Sequence, residues 1–184
     1  QGDFPFLWVQ LPNFKTRKDD PNAVSAWAHM RESMAGTLAL PNTGMVTTID
    51  IGEAKDIHPK NKQDAGARLA HWALAEFYGN ADVIATGPMY TSHAVQDSTV
   101  IVKFKHAAGL QAKEARVVSG FALAGADKKF HWATATVNAD GAVQVSCEAV
   151  KKPVAVRYGW GDNPNVNLVN KAGLPMTPFR TDKW

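Results

Sequence analysis

Residues 45–59 of this chain read Met-Val-Thr-Thr-Ile-Asp-Ile-Gly-Glu-Ala-Lys-Asp-Ile-His-Pro. The apolar and β-branched run 45–51 predicts a buried strand that ends at Gly52. A polar loop carrying Asp56 and His58 follows, and a helical pattern then runs from about residue 63 to residue 78. Open α/β sheets keep their ligand sites on loops at the carboxyl ends of strands. The stretch therefore predicts an α/β sheet with a candidate site on its loop.

The residues before this stretch predict a strand and a helix. Phe6–Leu11 is a continuous apolar run that predicts a first strand buried on both faces. Asp20 and Pro21 predict the start of the helix, with aspartate as N-cap and proline at the first helical position. The order strand, helix, strand, loop, helix is typical of a parallel sheet. The predicted inner face of the first helix consists of apolar residues at helical spacing, namely Val24, Trp27, Ala28, Met34 and Leu38.

Beyond about residue 82 the pattern changes to short alternating runs separated by turn residues. This pattern predicts antiparallel strands at the spacing of a β-sandwich. The tail from residue 161 is rich in Pro, Asn and Gly, and we expect it to pack as an ordered extension. We therefore predict two domains, 1–82 as the C-terminal part of a parallel α/β domain and 83–184 as a β-sandwich with an extended tail. The predicted strands of the second domain are 99–104, 117–123, 131–137, 143–146 and 154–160.

Two parallel strands alone make an incomplete sheet. Parallel strands are normally buried on both faces and flanked by further strands, and a pair on its own leaves open edges. We therefore expect the missing strands to lie upstream of Gln1, which would make the 184 residues a portion of a longer protein.

Composition argues against several classes of function. The net charge is +3, but Lys and Arg are scattered among acids, so no basic stripe indicates nucleic-acid binding. The apolar runs are too short to predict a membrane span. The single cysteine, Cys147, excludes an internal disulfide and predicts a packing residue. No two histidines have the spacing of metal ligands in the β region, so we expect no metal, and no organic cofactor is implied.

Ordered blocks such as Ile49-Asp-Ile-Gly52 and Asp56-Ile-His-Pro-Lys-Asn-Lys-Gln63 resemble the C-terminal half of the sialate O-acetylesterase family. The resemblance extends from about Phe4 to Asp182, nearly the whole chain. It consists of ordered blocks, among them Phe6-Leu-Trp-Val-Gln-Leu-Pro-Asn13, Leu40-Pro-Asn-Thr-Gly-Met45, Ile49-Asp-Ile-Gly52, Asp56-Ile-His-Pro-Lys-Asn-Lys-Gln63 and Gly87-Pro-Met-Tyr90.

The resemblance implies a serine esterase of the SGNH-hydrolase type with a flavodoxin-like α/β domain. It implies that the nucleophilic serine and most oxyanion-hole donors precede this chain, on an upstream N-terminal portion. The family's general base falls on His58, and Asp56 is the first candidate to orient it. Many SGNH enzymes have the spacing Asp-x-x-His, whereas this chain has Asp-x-His, so Asp56 would serve only on extended backbone. Asp50, Glu53 or a backbone carbonyl are the alternatives.

The remaining candidates concern the substrate. Gln10 and Asn13 close the first strand at its carboxyl end, where they could bind substrate or only form the turn. The implied substrate is an O-acetylated sugar such as sialic acid, with acetylated plant polysaccharide such as xylan as an alternative. A non-catalytic carbohydrate-binding or packing module is the other alternative. Family resemblance suggests a secreted or periplasmic location. Two roles are open for the aromatic residues Trp132, Tyr158 and Trp160. They could form a surface on which a sugar stacks, or they could pack in the core.

Overall fold

The computed structural model describes residues 3–184, which form two helices and twelve short strands. Helix α1 spans Ala26–Gly36 and is followed by a 3-10 turn, Thr37–Ala39. Helix α2 spans Lys62–Trp72 and continues as a π-helical segment, Ala73–Phe77. The strands are β1 Phe6–Val9, β2 Thr43–Val46, β3 Met89–Gln96, β4 Thr99–Lys105, β5 Gln111–Ala112, β6 Phe121–Ala124, β7 Phe130–Trp132, β8 Thr134–Val137, β9 Val143–Ser146, β10 Ala155–Tyr158, β11 Leu168–Val169 and β12 Phe179–Arg180. None of the helices in the described part of the chain combines the length and apolar character needed to span a membrane.

The predicted parallel sheet consists, among the described residues, of β1 and β2 alone. The strands pair in parallel with Phe6 opposite Thr43 and Val9 opposite Val46. Burial of β1 on both faces was a wrong prediction, because Phe6 and Val9 are exposed while most of β2 is buried. The physical reason is that β1 has a hydrogen-bonded neighbour on one edge only, so its apolar side chains lack cover.

The first helix begins later than the sequence predicts. Asp20 is not its N-cap, because Asp20 Oδ1 accepts the N–H of Asn22 at 2.8 Å in a separate turn. Asn22 is held by the β region, where it exchanges side-chain hydrogen bonds with the backbone of Phe130 at 2.7 and 2.9 Å. Ser25 caps the helix instead by accepting the N–H of Ala28 at 3.0 Å. As a result Val24, predicted to face the core, is 88% exposed.

The second helix matches its predicted extent more closely. Asn61 is the N-cap and accepts the N–H of Asp64, and the π-helical segment ends at Phe77, two residues before Gly79, whose φ of +70° favours glycine. Trp72 packs so closely on β2 that a Cβ at Gly44 would lie 2.1 Å from the indole. Phe77, on the π-helical segment, is exposed.

The second half of the described chain forms several antiparallel sheets. One four-stranded sheet has the order β12-β10-β6-β7, another has the order β3-β4-β9-β8, and β11 pairs with β5. The predicted strand 131–137 is divided at Ala133, so that β7 joins the first sheet and β8 the second. Strand β3 was missed because its residues 91–96 are all exposed and show no apolar alternation.

Both four-stranded sheets contribute to one hydrophobic core.

The arrangement of the two sheets as a β-sandwich stays a prediction, and so does the domain boundary between residues 82 and 83. The tail is ordered as expected, since Leu168, Leu174 and Phe179 are buried. The core residues with no exposed surface come from both sheets and from the tail, and include Val102, Val143, Val145, Leu123, Val156, Tyr158 and Met176.

The guanidinium of Arg31 joins the two halves of the chain. Arg31 lies on α1 and is fully buried. It donates to the carbonyl oxygens of Leu11 and Pro12 after β1 at 2.8 and 2.7 Å. It also donates to those of Gly161 and Asp162 in the tail at 2.7 and 3.0 Å. Burial lowers the pKa of Arg31 to about 10, opposed by the charge of Asp162, so the side chain stays protonated at neutral pH.

Replacement of Arg31 by methionine should therefore destabilise the fold severely. The apolar side chain fills similar space but leaves buried carbonyl groups without donors, each costing about 1–3 kcal/mol. We expect R31M to lower the free energy of unfolding by at least about 3 kcal/mol, measured by urea denaturation. The matched control is R116M at an exposed arginine, which should change stability by less than about 0.5 kcal/mol. Equal stability of the two variants would contradict the role given to Arg31.

Candidate active site

The loops that follow β1 and β2 are joined side by side. Asn13 Oδ1 accepts the backbone N–H of Gly52 at 2.6 Å, and Phe14 forms an isolated parallel bridge with Glu53. The Asn13 amide nitrogen donates to Asn163 Oδ1 in the tail at 2.9 Å. Asn13 thus connects three segments, and both polar atoms of its side chain are hydrogen-bonded within the protein. They fix the start of the loop that carries the candidate base.

Asp56 and His58 lie next to each other on that loop. Asp56 Oδ1 accepts the backbone N–H of His58 at 2.8 Å and lies 3.4 Å from His58 Nδ1. The backbone bends at residues 57–58, so a local turn brings the two side chains together without the extended backbone that the sequence predicted to be necessary. The side chains are 50% and 85% exposed, respectively, so the pair faces solvent.

The electrostatics of the pair favour an ionised carboxylate. The hydrogen bond from the His58 backbone lowers the pKa of Asp56, and contact with the His58 side chain acts in the same direction. The carboxylate is therefore charged throughout the pH range in which an imidazole changes its protonation. Chemically, the arrangement can orient the ring and stabilise an imidazolium. Among the described residues, no serine hydroxyl is hydrogen-bonded to the His58 ring.

The alternative partners for His58 are engaged elsewhere. Asp50 forms a bidentate pair with Arg68 at 2.7 Å for both bonds, and Arg68 also donates to the Thr47 carbonyl. Glu53 Oε1 accepts the backbone N–H of Lys60 at 3.0 Å. Asp56 is thus the carboxylate adjacent to the imidazole in this structure. The sequence named Asp56 as the first candidate and left Asp50 and Glu53 as alternatives.

Gln10 lies in the interior rather than at the site. Its side chain is fully buried, and its amide nitrogen donates to the carbonyl of Arg31 at 3.1 Å. Its backbone carbonyl accepts the hydroxyl of Thr48 at 2.6 Å. In this arrangement Gln10 supports α1 and β2, and its predicted role in substrate binding stays a prediction. The sequence position after β1 gave no indication of this burial.

The aromatic residues proposed as a sugar platform separate into two groups. Tyr158 is fully buried, and its hydroxyl oxygen accepts the N–H of Leu168 at 3.1 Å, so it belongs to the core. Trp132 is exposed and Trp160 is half-buried, and both line a surface cavity. The loops that form the rest of this cavity were missed because they carry no periodic signal. Within residues 3–184, no group of three or more His, Cys, Asp or Glu side chains is placed to hold a metal ion.

Comparison with solved structures gives a class of protein for this fold. The chain is similar to a crystal structure of a carbohydrate acetylesterase from Xanthomonas citri, with a TM-score of 0.90 and 46% sequence identity. The similarity covers 98% of this chain and 41% of that chain, so the present chain spans about two fifths of the protein it matches. No family model and no curated protein matches the sequence. The structural similarity supports a relationship to carbohydrate acetylesterases.

The contact between Gly52 and Asn13 gives a direct test of the loop arrangement. A Cβ at Gly52 would lie 2.0 Å from the Asn13 carbonyl oxygen, so G52A must displace one loop from the other. We expect G52A to cost about 1–3 kcal/mol of unfolding free energy and to broaden or shift the His58 ring signals in an NMR spectrum.

The matched control is G66A in α2, where a Cβ meets nothing within 4 Å. Alanine is the better helix former by roughly 0.5–1 kcal/mol, so this substitution should stabilise the protein slightly. A G52A variant as stable as G66A, with unchanged His58 signals, would show that the two loops are not held together in this way.

Proposed function

We propose that this chain is the C-terminal portion of a serine carbohydrate O-acetylesterase of the sialate O-acetylesterase type. The observation that carries the proposal is the similarity, at 46% identity over 98% of the chain, to a carbohydrate acetylesterase. The Asp56–His58 pair on the loop after β2 supplies the matching chemistry. The acetylated sugar would be sialic acid or a related one, with acetylated plant polysaccharide such as xylan as the alternative. The sequence resemblance also supports an SGNH-type α/β domain, a β-sandwich after residue 82, and a secreted or periplasmic location.

The proposed mechanism gives His58 the role of general base. Its imidazole accepts the proton of a serine hydroxyl as the oxygen attacks the acetyl carbonyl, and then donates it to the departing sugar oxygen. Water attacks the acetyl-enzyme in a second cycle, with the same imidazole as base, and acetate leaves. Asp56 orients the ring and stabilises the imidazolium that forms in each half of the reaction. His58 Nδ1 faces Asp56, which leaves Nε2 for the serine.

We propose that the nucleophile belongs to an upstream portion of the same protein. Three features support this partner. The His58 ring is 85% exposed and without a serine partner among the described residues. Strand β1 exposes apolar side chains such as Phe6 and Val9 on a sheet of two strands. The matched acetylesterase is more than twice as long as this chain. Upstream strands would cover β1 and bring the serine to the loop.

A non-catalytic carbohydrate-binding module is the second candidate function. The observation in its favour is the cavity that Trp132 and Trp160 line, which involves neither Asp56 nor His58. A module of this kind would bind glycan without any upstream nucleophile. Hydrolysis of an acetyl ester therefore distinguishes the two candidates.

The test of catalysis compares this chain alone with the longer polypeptide that includes an upstream portion. We expect the 184 residues alone to leave p-nitrophenyl acetate unhydrolysed, because the base has no nucleophile to activate. The longer polypeptide should hydrolyse it, and H58A in that polypeptide should lower kcat at least about a thousand-fold.

The control for this experiment is H131A, which removes an exposed histidine on β7 and should leave kcat unchanged. Serine-inhibitor-sensitive hydrolysis by the 184 residues alone would refute the assignment of the nucleophile. Full activity of the H58A polypeptide would refute the assignment of the base.

The role of Asp56 is tested by paired substitutions. Asparagine at position 56 keeps an oxygen that accepts the His58 N–H but removes the charge, whereas alanine removes both. We expect D56N to lower kcat about a hundred-fold or more with little change in KM, and D56A to lower it at least as far. Because the pKa of Asp56 is lowered, its carboxylate stays ionised wherever the imidazole of His58 is unprotonated and can act as base, so the effect of D56N on kcat should be the same across the neutral and alkaline range of a pH profile. A D56N variant with wild-type kcat would assign the ring's orientation to another group.

A further inference from the structure

A cavity of about 280 Å³ lies where three distant segments of the chain meet. Its walls are the loop before α1 at residues 16–25, the edge of the first antiparallel sheet, and the start of the tail at residues 160–165. Neither Asp56 nor His58 lines it. The cavity is therefore a separate candidate binding site, held in shape by the contacts of Arg31 with Gly161 and Asp162.

The cavity presents one partly exposed indole, that of Trp132. Trp132 lies on the edge strand β7 and is 43% exposed, with no aromatic or cationic side chain recorded against its ring among the described residues. Trp160 is different, because the guanidinium of Arg180 lies 4.8 Å from its ring and His29 contacts it edge-on. A free aromatic face in a concave site is suited to the apolar face of a ring-shaped ligand.

Uncommitted polar groups surround this indole. The side chains of Thr16, Ser119 and Asn165 line the cavity and make no hydrogen bond with other described residues. Hydroxyl and amide groups can both donate and accept, which matches the hydroxyl groups of a sugar ring. An aromatic surface with such groups around it fits a carbohydrate better than a purely apolar ligand.

The charges of the cavity indicate a neutral sugar. Its lining includes the carboxylates of Asp19, Asp20 and Asp162 and the cations of Arg17 and Lys18. Asp162 is already paired with Lys15 at 3.0 Å, and it also accepts the hydroxyl of Ser25. The acids are thus at least as numerous as the bases, so an anionic ligand such as a sialylated glycan gains no net attraction.

We propose that this cavity is a binding subsite for a neutral oligosaccharide, in which a sugar ring stacks on Trp132. It would hold part of a polysaccharide chain apart from the acetyl group that the esterase site removes. The subsite rests on the proposed function and favours its polysaccharide alternative, but its occupancy requires neither the nucleophile nor His58. Binding and hydrolysis can therefore fail independently.

The test is isothermal titration calorimetry of the full chain with xylohexaose, cellohexaose and sialyllactose. We expect at least one neutral hexaose to bind, more tightly than sialyllactose, and W132A to weaken that binding about tenfold or more. W132F should retain part of the affinity because it keeps an aromatic face. H58A should bind as the wild type does, which separates this result from any test of catalysis.

The matched control is W184A, which removes a tryptophan of similar exposure that does not line the cavity, and it should leave the affinity unchanged. Circular dichroism verifies the fold of each variant. If W132A does not fold, N165A replaces it as the test variant. Asn165 is exposed and lines the cavity, so N165A should weaken binding at least threefold. Absence of binding to both neutral hexaoses, tighter binding of sialyllactose, or wild-type affinity in the cavity variants would overturn the proposal.

Discussion

The buried guanidinium of Arg31 is the interaction on which the other features of this structure depend. A charged group excluded from water is tolerated only when its donors are satisfied, and here backbone carbonyls of two separate segments satisfy them. One segment continues to Asn13, which fixes the loop of the candidate base. The other forms a wall of the cavity beside Trp132. A single side chain thus positions both the candidate active site and the proposed subsite.

The two sites differ in how complete they are within the described residues. The cavity has an aromatic surface and polar groups in place within these residues. The Asp56–His58 pair has a base and an orienting carboxylate but no adjacent serine. We expect this contrast if the chain contributes the base and part of the substrate-binding surface to a larger esterase. The matched acetylesterase is longer than this chain, which agrees with that proposal.

The exposed strand β1 fits the same proposal. Its sequence is that of a strand buried on both faces, yet Phe6 and Val9 are exposed and β2 is its hydrogen-bonded neighbour. Apolar side chains on an open parallel edge favour association with further strands. In the proposed esterase the upstream portion would cover these side chains, and the same association would bring the nucleophile to His58.

The sequence by itself determined the order strand, helix, strand, loop, helix in the first half of the chain, the cores of most strands and the loop position of His58. Each of these follows from neighbouring residues, through apolar periodicity or turn chemistry. The tertiary structure alone decided that Ser25 and not Asp20 caps α1, that Gln10 is interior, and that Asp50 pairs with Arg68. The reason is that these outcomes depend on competition between possible partners. Asn22 is held by Phe130 and Asp50 by Arg68, and no local pattern encodes a partner that lies far along the chain.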